Sequence, residues 1–105
     1  MKYVVNETVI RTTVINGEEK VLGTTTRTPI TENDKVNALI YAMRFINKRI
    51  EGYKEVNEHI VMVTDRTKEK NILDLLFKGE EYCEIIWEEN GLFIIEKLIC
   101  KLEEI

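Results

Sequence analysis

The chain has 105 residues, 44% of them hydrophobic and 32% charged, with fifteen Lys and Arg against nineteen Asp and Glu for a net charge of −4. That length suits a single domain, residues 1–105, with a core of its own, while the acidic balance argues against a dedicated nucleic-acid binder that works by phosphate neutralisation. One proline and five glycines exclude collagen-like and low-complexity classes.

No apolar run approaches the ~20 residues of a membrane-spanning helix, so no membrane association is expected. Met1 to Glu7 lacks the apolar stretch of a secretory signal. Cys83 and Cys100 stand outside any C-x-x-C arrangement and read as reduced thiols of a cytoplasmic protein. The lone His59 builds no zinc site with them, because the spacing is wrong.

The N-terminal third carries β-formers. Tyr3, Val5 and Val9 lead into Thr12-Thr13-Val14-Ile15, and Asn16-Gly17 marks a tight turn. Lys20 to Thr28 is rich in β-branched residues, and Pro29 closes the region. These features predict a meander of about three strands. A helix follows, with Thr31 and Asp34 at capping-box spacing and Val36, Leu39, Ile40, Met43, Ile46 and Ile50 as its apolar stripe. Lys48 and Arg49 suit its C-terminal dipole, and Gly52 is its expected stop. Glu51 to Glu58 is a polar connection.

His59 to Thr64 is a nearly continuous apolar run and predicts a central strand buried on both faces, ending at Asp65. Arg66 to Lys78 returns to helical spacing through Ile72, Leu75 and Leu76, with Gly79 as a stop. Cys83 to Trp87 is another short strand, and Asn90-Gly91 a turn. Ile95, Leu98, Ile99, Leu102 and Ile105 recur as a helix stripe, although Glu84 to Glu96 also fits a hairpin around Asn90-Gly91. The helix is preferred because its period continues past residue 96. The expected fold is α/β, an α+β mixed sheet in the order β-β-β-α-β-α-β-α, with neighbouring parallel strands joined by a crossover.

This order resembles the ribonuclease H-like superfamily. Thr26-Arg27-Thr28 and Thr31-Glu32-Asn33 look like that family's entry into its first helix, Ala38 to Met43 like its A-x-x-x-A-L segment, and Val63-Thr64-Asp65-Arg66 like its x-T-D-S strand end. The resemblance implies about four carboxylates that hold two magnesium or manganese ions for phosphodiester hydrolysis. Asp65 matches one of these positions. The others fall near Asn6, Lys35, and Ile95 or Glu96, so that Glu7, Asp34 and Glu96 enter only as neighbours. A one-residue shift turns a strand side chain to the other face and swings a helix side chain by about 100°. The resemblance is therefore to a degenerate member without a working metal cluster.

Asp65 otherwise reads as a helix cap. Arg44, Lys48 and Arg49, with Arg66, Lys68 and Lys70, form a basic edge suited to phosphate or an acidic protein. Trp87 is either a core aromatic or a contact residue. Glu80 to Glu89 is an acidic stretch suited to solubility. No Ser-His-Asp set, P-loop or G-x-G-x-x-G occurs.

The expected function is a non-enzymatic interaction or regulatory protein with no cofactor, binding a macromolecular partner, preferably a protein. Its composition suits an accessory protein of a low-GC bacterium or its phage. The alternatives are a divalent-metal nuclease acting on RNA–DNA hybrid or structured nucleic acid, with catalytic Asp65, Glu7, Asp34 and Glu96, and a homo-oligomer that serves a structural or ligand-sequestering role.

Overall fold

A computed structural model describes residues 1–56 and 59–105. The order is β1 (Tyr3–Ile15), β2 (Glu18–Glu32), α1 (Lys35–Val56), β3 (Ile60–Asp65), α2 (Ile72–Lys78), β4 (Glu81–Glu89) and β5 (Leu92–Glu104). The strands form one sheet in the order β2-β1-β5-β4-β3, and every ladder is antiparallel. The fold is thus mixed α+β, as expected, but its topology differs from the order read off the sequence.

Two tight hairpins organise the sheet. At Asn16-Gly17 and again at Asn90-Gly91, the Asn has φ of 52° and the Gly φ of 79°. Two consecutive left-handed residues build the type I′ turn whose twist matches that of paired strands, and Asn and Gly tolerate this region best. The expected three-strand meander is instead one hairpin with strands of 13 and 15 residues. Pro29 does not end β2. It lies where Thr28 and Pro29 together face Asn6, a bulge on an edge strand where its missing N–H costs no ladder bond.

The last segment is β5, not the expected helix; Glu84 to Glu96 forms the rival hairpin. Ile94, Glu96, Leu98, Cys100 and Leu102 are buried at every second position. Ile95 and Ile99 occupy the opposite face, so apolar pairs at 94–95 and 98–99 imitate helical spacing. The expected central strand, β3, is a sheet edge with no buried residue. Its apolar run is met on one side only, by β4. The expected parallel neighbours are absent because α1 carries the chain across the sheet to the far edge, where β3 pairs antiparallel to β4.

One face of the sheet carries the helices. Val5, Ile85, Leu98, Cys100 and Leu102 meet Ala38, Ala42, Ile46 and Ile50 of α1 and Leu75 and Leu76 of α2. The small Ala38 and Ala42 let α1 lie close on the strands. Val36, Ile40 and Met43, expected in that stripe, are exposed. The Asp34 side chain caps α1 by accepting from the Val36 backbone N–H at 2.8 Å, and the helix runs through Gly52, the expected stop. The helix expected from Arg66 is shorter: a single 3-10 turn at Arg66–Lys68 precedes α2, which Asn71 caps and Gly79 ends with φ of 66°. In β4 a bulge at Tyr82 brings two successive residues, Tyr82 and Cys83, into the core.

Enlarging Ala42 tests this close approach. Ala42→Leu should lower stability by about 1–3 kcal/mol, as overpacking of a tight core does, and urea unfolding followed by circular dichroism measures it. No comparable loss is expected for Met43→Ala on the exposed side of the same helix.

Candidate functional site

Two carboxylates lie in the layer between the sheet and α1. Glu7 on β1 is 1% exposed and Glu96 on β5 is 4% exposed. A bare buried carboxylate is very costly, so each must be paired. Arg49 of α1 grips Glu7 with two bonds, Nε to Oε2 and Nη2 to Oε1, both 3.0 Å, and Arg27 of β2 adds Nε to Oε1 at 3.0 Å. The parallel donors of a guanidinium match a carboxylate, which makes this the strong form of ion pair. The Phe45 ring lies 5.9 Å from both guanidinium carbons. Arg49 also lies 5.8 Å from the Tyr53 ring centre.

Glu96 is held similarly. Arg11 donates from Nη2 to Oε1 at 2.8 Å, and the Tyr53 hydroxyl donates to Oε2 at 3.2 Å. Arg11 lies over Trp87, 5.3 Å from the ring centre. The register explains the grouping: Glu7 stands opposite Arg27, and Arg11 opposite Glu96, so each pair shares the helix-covered face.

Burial and Glu96 together push the Tyr53 phenol up to about 12, so it stays a donor. The hydrogen bond to Glu96 raises Arg11, and the Glu7 pair raises Arg49 against the desolvation that opposes it. Burial pushes the Cys83 thiol up to about 11 and the Cys100 thiol up to about 12. Tyr82 is pushed upward by burial as well, and its hydroxyl has no hydrogen-bond partner among the described residues.

The four carboxylates expected of a nuclease are not brought together. Asp65 ends β3 on the far edge, three strand spacings or about 14 Å from β1. It accepts from the Thr67 N–H and hydroxyl and so caps the 3-10 turn. Asp34 caps α1 outside the sheet. Glu7 and Glu96 share the inner layer but are consumed by arginines. Lys35, which the resemblance sets near a metal position, lies 5.2 Å from the Phe77 ring. Among the described residues no three metal-ligating side chains gather.

The expected basic edge is divided. Arg49 turns inward to Glu7, while Arg44 and Lys48 face solvent. Arg66 pairs with Glu81 at 3.7 Å and Lys70 with Glu80 at 3.3 Å, so these cations serve the acidic stretch instead. Trp87 is half-buried beneath Arg11. Sequence reasoning missed the arginine pairing of Glu7 and Glu96. The signal was present at Glu96, a lone acid at an inward position of a strand otherwise filled by Ile94, Leu98, Cys100 and Leu102.

A second feature lies on the helix layer. Val36, Ile40 and Met43 recur at steps of four and three on the outer side of α1, and Leu73 and Phe77 of α2 are also exposed. Lys35 over Phe77 joins the two helices at this surface. No family model, no curated protein and no solved structure matches the chain. No helix among the described residues is long and apolar enough to cross a membrane.

Two outcomes test the buried charges. Arg49→Met should cost about 3–5 kcal/mol, because it leaves Glu7 buried with a single partner. Glu7→Gln should cost less, about 1.5–3 kcal/mol, since the side chains of Arg27 and Arg49 are 54% and 33% exposed and can turn to water. Denaturant unfolding of both variants gives the order; equal losses would contradict it.

The raised thiols set an alkaline limit. An unfolded thiol titrates near 9.0, while the folded ones keep their protons to about 11 and 12. The native state therefore binds more protons across that window, and stability falls as pH rises from 9 to 12. The expected fall is about 1.4 kcal/mol per pH unit for each thiol, read as a shift of the urea midpoint. At pH 8, both cysteines should resist alkylation until the chain unfolds.

Proposed function

We propose that the chain is a non-enzymatic interaction protein that binds a protein partner through the outer side of α1 and α2. The observation that carries this reading is the exposed row Val36, Ile40 and Met43 on α1, with Leu73 and Phe77 exposed on α2. Val36 is 60% exposed although it begins an apolar stripe. Exposed apolar side chains that recur along one helix mark contact surfaces, and a helix read at i, i+4 and i+7 is a common form of recognition.

The inner charges support the same reading. Glu7 and Glu96 have their oxygens committed to arginines and Tyr53, which gives them a structural occupation. The reading holds with or without descent from a ribonuclease H-like ancestor, because it rests on the helix surface and not on Asp65. Composition alone supports a cytoplasmic accessory role in a low-GC bacterium or its phage.

The test is a paired capture from cells that express the chain. The native chain and an Ile40→Glu/Met43→Glu variant are cross-linked and their partners compared. The variant should lose the partner while its thermal midpoint stays within about 2 °C, since surface changes shift stability little. Recovery of the same partner by both chains, or of none by either, would refute the proposal. Recovery of only a second copy of this chain would replace it with self-association.

A further inference from the structure

The sheet ends in two edge strands, β2 and β3, and they differ in chemistry. An edge strand presents a row of unpaired N–H and C=O groups, which proteins shield with charges, proline, bulges or a covering element. β2 carries such devices: the charges of Glu19, Lys20 and Arg27, Pro29, and two bulges, one at Leu22 and one at Thr28-Pro29. β3 carries almost none. From Ile60 to Thr64 it reads Ile-Val-Met-Val-Thr, without a charge, a proline or a glycine, and most of these residues favour extended pairing. Its one bulge, at Val61, lies beside its first residue, and Met62 to Asp65 pair regularly with β4. Among the described residues no backbone hydrogen bond reaches its open side. Val61 and Met62 are 59% and 49% exposed.

The side chains that lead to this edge are apolar as well. By register Met62 stands next to Ile86, and Ile86 next to Ile95, in one row on the face without helices. Phe93, two residues from Ile95 along β5, is exposed on the same face. An antiparallel sheet with one uncovered face normally shows polar side chains there. Here an apolar row crosses β5, β4 and β3 and stops at the unshielded edge.

We propose that β3 pairs antiparallel with β3 of a second copy of this chain, which makes a two-fold dimer with one continuous sheet of ten strands, five from each copy. Three features select a second copy over a strand of another protein. Identical antiparallel strands are related by a two-fold axis, so each copy offers the edge that the other lacks. With that axis near Met62, the row Ile95, Ile86 and Met62 runs on into its own copy and leaves no apolar end at an edge. Asp65, the one charge of β3, is carried to opposite ends of the pair, so no like charges meet. The axis stands perpendicular to the sheet, so both helix layers lie on one side and the two α1 surfaces face the same way. The pairing does not rest on that helix surface. Six residues of edge make a small interface, and a Kd of about 10–100 μM is expected for it.

Sedimentation velocity from about 5 to about 500 μM spans that range. The native chain should pass from monomer to dimer. Met62→Lys sets two like charges side by side at the axis and should raise Kd at least about tenfold. Its thermal midpoint, measured on the monomer, should stay within about 2 °C, because the side chain is exposed. The Ile40→Glu/Met43→Glu variant should dimerise like the native chain, which separates this interface from the helix surface. Met62→Cys reads the geometry. Opposite or diagonal cross-strand neighbours lie about 5 or about 7–8 Å apart, within reach of a short bismaleimide, while Cys83 and Cys100 are buried away from the reagent. A linked dimer should form from Met62→Cys and not from Leu22→Cys on the β2 edge. A native chain that stays monomeric at the highest concentration overturns the proposal. So does a dimer that Met62→Lys leaves unchanged, one that Ile40→Glu/Met43→Glu abolishes, or one that links through Leu22→Cys and not through Met62→Cys.

Discussion

Burial of Glu7 beneath α1 ties three elements to one point. The carboxylate comes from β1, one guanidinium from β2 and the other from α1. A buried charge tolerates no loose arrangement, because each lost bond exposes the cost of desolvation. The helix must therefore cross the sheet at one height. Ala38 and Ala42 permit the approach that this height requires, and the leucines of α2 fill the remaining end of the layer. Glu96 repeats the constraint one strand away, through Arg11 and Tyr53.

With its inner layer so occupied, the fold leaves the apolar side chains on the outer side of α1 outside the core: Val36, Ile40 and Met43 face solvent while Ala38, Ala42, Ile46 and Ile50 of the same helix are buried.

Much of the local structure was legible in the residues. Asn16-Gly17 and Asn90-Gly91 announced their turns, Gly79 a helix end, and Val36 to Ile50 a helix, whereas Thr31, expected to open a capping box with Asp34, lies in β2 and Asp34 itself is the cap. The face of that helix was not legible. Hydrophobicity alone ranks Val36 and Met43 above Ala38 and Ala42, but a helix lying close on a sheet selects small residues for the contact and leaves large ones outside. The last strand was misread for a related reason. Apolar residues on both faces of β5 erase the alternation that distinguishes a strand, and the remaining pattern imitates a helix. Among the candidate site residues, Asp65 and Asp34 proved to be caps. Glu7 and Glu96 hold structural places, since a carboxylate's neighbours across a sheet depend on register and not on sequence distance.

The sequence by itself determined the local events: two left-handed Asn-Gly turns, the capped ends of helices, one domain's worth of apolar residues and a net negative charge. Each depends on a few consecutive residues whose conformational preferences act at short range. Only the tertiary structure decided that β5 would pair between β1 and β4, that β3 would lie at an edge, and that Glu7 would meet both Arg27 and Arg49. Those outcomes join residues up to a hundred positions apart. Their energies arise from desolvation and close packing, which exist only once the strands and α1 have come together.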